Sequence, residues 1–154
     1  MSNGWLEAGM RTTTLGVRQS LRGLYGLILG FPAALFTIGV LTDIAYLKTA
    51  EIQWTNFSQW LITGALVFGG IAAAWSLVAI VLSLRTSIRL WRVVEFGALA
   101  LMFVLGLINA FKHSQDGWSS VGAFGLTLSI LCSLLALVAG FIAISGASDE
   151  EIAR

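Results

Sequence analysis

The stretch NAFKHSQDGWSSVG, residues 109 to 122, holds the only histidine of the chain. Asn109 and His113 are four residues apart, so a helix carries both on one side. Asp116 follows His113 by three residues, and Trp118 stands just beyond it. Asp43, in an earlier apolar run, is the carboxylate at matching depth. A carboxylate beside an imidazole can orient the ring or move a proton. The same residues can also make a polar latch that fixes loops to helix ends. Spacing leaves both readings open for Asp43, Asn109, His113, Asp116 and Trp118.

Other chemistries are absent from the pattern. There is no phosphate loop, no nucleotide-binding glycine fingerprint, no CxxC pair and no H-E-x-x-H. One histidine cannot supply two ligands to a haem or a metal. The single cysteine, Cys132, makes neither an internal disulfide nor a Cys-rich metal site, and reads as a small packing residue. No nucleophile–base pair is visible. The expectation is therefore no enzyme, no catalytic residue, no metal and no cofactor of the chain's own. A haem or quinone contact at a subunit interface stays open.

The elements that position these residues follow from composition. Of 154 residues, 57% are hydrophobic and 11% charged, with a net charge of +1. Soluble chains carry roughly 25% charged residues. So few charges cannot cover a water-facing surface, whereas lipid wets apolar helices directly. The charge balance gives no electrostatic case for nucleic acid.

Four apolar runs are long enough to cross a bilayer, at about 20 residues each: 24–47, 60–84, 93–111 and 121–144. None alternates as a barrel strand would. The first is longer than the roughly 7–15-residue core of a cleavable signal peptide, so the N-terminus is expected to remain. Arg11, Arg18, Arg22, Arg85, Arg89, Arg92 and Arg154 fall on one side of the resulting topology, and Lys48 and Lys112 on the other. That asymmetry predicts both termini in the cytoplasm of a bacterium, and loops 48–59 and 112–120 in the periplasm. Trp54, Trp60 and Trp118 flank those loops as an interfacial aromatic belt would.

The expected fold is an all-α integral membrane protein, a compact four-helix transmembrane bundle with an N-terminal amphipathic interfacial helix. Residues 1–23 form a cytoplasmic arm, 24–144 the membrane domain and 145–154 an acidic cytoplasmic tail. Arg11, Arg18 and Arg22 lie within about 40° of one another at 100° per residue, and Met10, Val17, Leu21, Leu24 and Ile28 form a separate stripe. Arg85, Arg89 and Arg92 make a second basic stripe. Both fit topology control and anionic lipid headgroups, and both would also fit an acidic partner.

Membrane helices associate where small residues let backbones approach. Ala65, Gly69 and Ala73 make such a ridge, as do Gly125, Ser129 and Ser133, and Gly26, Gly30 and Ala34. Each could serve internal packing or a second subunit. Pro32 predicts a break between arm and span, either a tolerated kink or a site where freed carbonyls line a cavity. Glu95 stands three residues after Arg92, a spacing for an ion pair at headgroup level.

Several of these residues together resemble a bacterial membrane family. They are "FP" at 31–32, Asp43, "W..FS.WL" from Trp54 to Leu61, "N...HS.DGW.SV" from Asn109 to Val121, "GL.LS" at 125–129 and Gly140. The family is an uncharacterised domain of about four transmembrane helices, found alone and joined to membrane sorbosone-dehydrogenase-like quinoproteins. Members often carry a His-Pro pair about six residues before "FP", where this chain has Tyr25 and Gly26. Many carry a histidine and an asparagine early in the third span, where Glu95 and Leu99 stand. The resemblance thus implies a structural paralogue without those histidines. Together with small size and short loops, it points to a non-catalytic accessory or anchoring subunit of a larger inner-membrane complex of respiratory, photosynthetic or dehydrogenase type. Its partners would be lipid and other membrane subunits. The alternative is a small haem- or quinone-associated protein that handles protons at the outer polar group.

Overall fold

The computed structural model describes residues 4–84, 90–115 and 121–152. Arg85, Arg89, Asp116, Trp118 and Arg154 lie outside the described residues, as does the side chain of Arg11. The chain forms α1 (Gly4–Thr49), α2 (Ile52–Ser83), α3 (Leu90–His113) and α4 (Ala123–Ile152). All four contain segments long and apolar enough to cross a membrane, with mean hydropathies of 2.0, 2.3, 2.1 and 2.5. Each helix packs on its two neighbours in the order α1, α2, α3, α4 and back to α1. Hence α1 and α3 face each other across the diagonal. The turns α1–α2 and α3–α4 lie at one end, here termed the hairpin end; the chain termini lie at the other.

Burial follows a three-and-four spacing. On α2 it takes Thr55, Ser58, Ile62, Ala65, Leu66, Gly69, Ala72 and Ser76; on α3 it takes Glu95, Ala98, Leu99, Met102, Gly106, Asn109 and His113. Many of the inward residues are small or polar, and many large aliphatic side chains point outward, such as Leu41, Val67, Leu101 and Leu134. Such an arrangement suits lipid, which supplies no reason to hide leucine. Phe36, Ile62, Leu99 and Met102 fill the middle of the bundle with no exposure.

Two expectations are corrected, and a third that left two alternatives open is narrowed. First, the N-terminal arm is not a separate interfacial helix: α1 runs unbroken from Gly4 to Thr49. Leu29, Pro32, Phe36, Gly39 and Asp43 are all buried at alternating spacings of three and four, so one packed face runs straight through the proline. The Pro32 ring lies against Gly69 of α2, where even an added Cβ would stand 3.7 Å from it. At 1.5 Å per residue, α1 is about 69 Å long, more than twice a bilayer's apolar thickness of about 30 Å.

Second, the loop at 48–59 shrinks to Ala50 and Glu51. Ala50 adopts a left-handed φ of 56°, which ends α1 tightly. Its N–H still reaches the Tyr46 carbonyl at 2.8 Å, and the Thr49 hydroxyl accepts from Glu51 N–H at 3.3 Å. α2 therefore begins at Ile52, and Ser58 sits in its second turn rather than in a loop. At the far end, α4 carries the acidic tail as helix to Ile152.

Third, the small-residue ridges separate into two kinds. Ala65, Gly69, Gly125, Ser129 and Ser133 are buried and Ala73 is half-buried, so those ridges pack within the chain. Gly26, Gly30 and Ala34 are exposed; around Gly26 and Gly30 an added Cβ would meet nothing within 4 Å. The first ridge thus does not pack the bundle.

In the middle of the bundle Gly106 is closely approached: an added Cβ would stand 2.8 Å from Leu66 and 3.0 Å from the Phe36 ring. Gly106→Ala should therefore destabilise by about 1–3 kcal/mol through overpacking. Gly30→Ala, into open space, should change stability by less than about 0.5 kcal/mol. Denaturation in detergent micelles compares the two.

Candidate functional site

Near the hairpin end, one carboxylate draws in all three other helices. Asp43 lies six residues from the end of α1, Ser58 six residues into α2 and Ser129 six residues into α4. These equal offsets put three polar side chains at one depth. Asn109 and His113 join them from the last turns of α3. Asp43, Ser58, Asn109 and Ser129 have no exposure, and His113 only 4%.

The hydrogen bonds form a closed set. Ser58 Oγ donates to Asp43 Oδ1 at 2.6 Å. Ser129 Oγ donates to Asp43 Oδ2 at 2.6 Å. His113 Nε2 meets Asp43 Oδ1 at 2.9 Å. Asn109 Nδ2 donates to Ser129 Oγ at 2.9 Å. His113 Nδ1 lies 3.0 Å from the Asn109 carbonyl oxygen. A carbonyl only accepts, so Nδ1 carries a hydrogen. One further proton lies between Nε2 and Oδ1. The pair is therefore either imidazolium with carboxylate or imidazole with carboxylic acid, and its net charge is zero in both.

That neutrality matters. An unpaired charge in a medium without water costs far more than a folded protein's whole stability margin. Here the opposite charge and two hydroxyl donors compensate it. Within this layer, among the described residues, Asn109 Oδ1 is left without a partner.

A second polar link crosses the same diagonal toward the termini. Tyr25 on α1 donates its hydroxyl to Glu95 Oε1 on α3. Ser76 of α2 lies near the Tyr25 hydroxyl, and the Tyr25 ring lies 5.8 Å from that of Trp75. Arg92 Nη1 donates to Ser83 Oγ at 2.9 Å, and its guanidinium lies 5.2 Å from the Trp91 ring centre. Trp91 in turn packs on Gly146 of α4. Glu95 is thus not paired with Arg92 alone. It is 3% exposed and tied across the bundle, with the Arg92 charge nearby. Between the two polar layers, Thr37 and Ser133 share a hydrogen bond at 2.9 Å, and Cys132 donates weakly to the Met102 carbonyl at 3.8 Å.

The structure thus unites Asp43, Asn109 and His113 as the spacing suggested. It adds Ser58, which lay in a segment read as loop, and gives Ser129 a hydrogen-bonding role beyond packing. It adds Tyr25 as the partner of Glu95. Arg18 and Arg22 are exposed on α1, and Trp54 and Trp60 are exposed near the hairpin end. A shallow apolar groove of about 370 Å³ runs along α2 past Ile71, Trp75, Val78 and Leu82; no residue of the Asp43 layer borders it. Among the described residues, no group of three or more His, Cys, Asp or Glu is arranged to hold a metal.

Ser58→Ala removes one bond to Asp43 and should cost about 1.5–3 kcal/mol, the range for a hydrogen bond to a charged group. Ser129→Ala should cost more, because it also strands Asn109 Nδ2. Chemical denaturation of the two variants side by side gives the order.

No curated protein and no solved structure matches the chain. A family model described as predicted membrane protein (DUF2231) matches residues 24–142, and the chain belongs to that family. The match begins beside the Tyr25–Glu95 link and takes in all four helices.

Proposed function

We propose that this DUF2231 member is a non-catalytic accessory or anchoring subunit of a larger bacterial inner-membrane complex. The observation that carries the reading is the closure of the Asp43 layer. Its carboxylate, imidazole and hydroxyls are engaged with one another, buried, and distributed over four helices. Groups engaged in this way hold helices together; a reacting centre needs an atom free to meet substrate. A further support is the outward ridge of Gly26, Gly30 and Ala34, a surface on which a helix of another subunit can approach closely. The arginine asymmetry supports placing both termini in the cytoplasm and the Asp43 layer toward the periplasm.

A second reading rests on the Asp43–His113 contact, which holds a shared proton. On that reading the protein handles protons beside a haem or quinone held at a subunit interface.

Purification from native membranes in mild detergent separates the readings. The accessory role predicts recovery with at least one other integral membrane protein in fixed ratio; a lone monomer or homo-oligomer would overturn it. Gly30→Leu should weaken that recovery while leaving thermal stability nearly unchanged. A colourless, quinone-free preparation whose behaviour survives His113→Ala removes the second reading.

A further inference from the structure

The Asp43 layer contains one loose end, and its chemistry says what should fill it. Asn109 has no exposure, and its Oδ1 has no hydrogen-bond partner. Turning the amide over does not relieve this. The Ser129 hydroxyl has one hydrogen, which goes to Asp43 Oδ2. Its oxygen can then only accept from Asn109, so the amide atom facing it must be Nδ2. The unpaired acceptor follows from the network itself.

A second acceptor site stands open beside it. Asp43 Oδ1 takes two donors, Ser58 and His113, whereas Oδ2 takes only Ser129. Asn109 and Asp43 thus flank the same serine hydroxyl, each with a spare lone pair. A species with two hydrogens can satisfy both. It should also be neutral, since the His113–Asp43 pair already has zero net charge and a cation would leave a charge buried.

We infer that the layer binds one buried water molecule, which donates to Asn109 Oδ1 and Asp43 Oδ2. Buried waters commonly make about three hydrogen bonds to groups that would otherwise go unsatisfied. The water completes the polar layer and is bound to the carboxylate that shares a proton with His113, one oxygen away from it, although the side chains are closed to the surface. This inference does not depend on the accessory-subunit reading.

The single histidine makes the test direct. Full-length protein labelled with ¹⁵N-histidine, in lipid nanodiscs, gives one imidazole spin system. The Nε2–H resonance should show a cross-peak to water in a water-selected nuclear Overhauser experiment. In Asn109→Leu that cross-peak should fall at least tenfold with the ring resonances still present. A visible Nε2–H resonance with no water cross-peak in the unaltered protein overturns the inference, as does a cross-peak that Asn109→Leu leaves at full strength. If the variant fails to fold, the unaltered protein decides alone.

Discussion

A carboxylate buried among membrane helices is the constraint on which this fold turns. Asp43 has no exposure, and water cannot solvate it from outside. Its hydrogen-bond donors must be held inside the bundle. Those donors arrive one from each of the other helices: Ser58 from α2, His113 from α3 and Ser129 from α4. A single side chain thereby sets the register of all four helices near the hairpin end. In an apolar environment helices gain little from hiding leucine, so such polar contacts and close small-residue packing carry the specificity.

The diagonal gives these contacts their particular value. Neighbouring helices touch along their lengths, but α1 and α3 face each other across the core. Two polar links cross that gap, Asp43–His113 toward the hairpin end and Tyr25–Glu95 toward the termini. Both need long side chains on at least one partner. Between them lies an apolar filling of Phe36, Leu99 and Met102, closed by the narrow approach at Gly106. In the second link Tyr25 supplies the donor and Glu95 the acceptor.

How much of this was legible in the chain depended on the kind of signal. Four apolar runs and the i, i+4 spacing of Asn109 and His113 are local, and the structure agrees with both. Asp43 was placed with them by depth along its helix. Ser58 was missed because Trp54, Thr55, Asn56, Ser58 and Gln59 read as a polar loop, although Thr55, Ser58, Ile62 and Ala65 already follow the inward spacing. Ser129 looked like a packing residue, since a small hydroxyl gives no sign of which lone pair it will serve. The Tyr25–Glu95 link joins residues 70 apart, beyond any local pattern. Pro32 misled for a physical reason: its cost is local, while the buried face that carries the helix through it is tertiary. Asp116 and Trp118 lie outside the described residues, so the structure neither adds them to the layer nor removes them.

The central claim is that Asp43 and His113 act as one unit binding the bundle. Unfolding free energies in detergent for Asp43→Leu, His113→Leu and the double variant test it most directly. Each single change should cost about 3–5 kcal/mol, because it leaves the other group buried without its counterpart. The double variant should cost well below the sum, by about 2 kcal/mol or more. Single losses under about 1 kcal/mol, or strictly additive ones, would contradict the account.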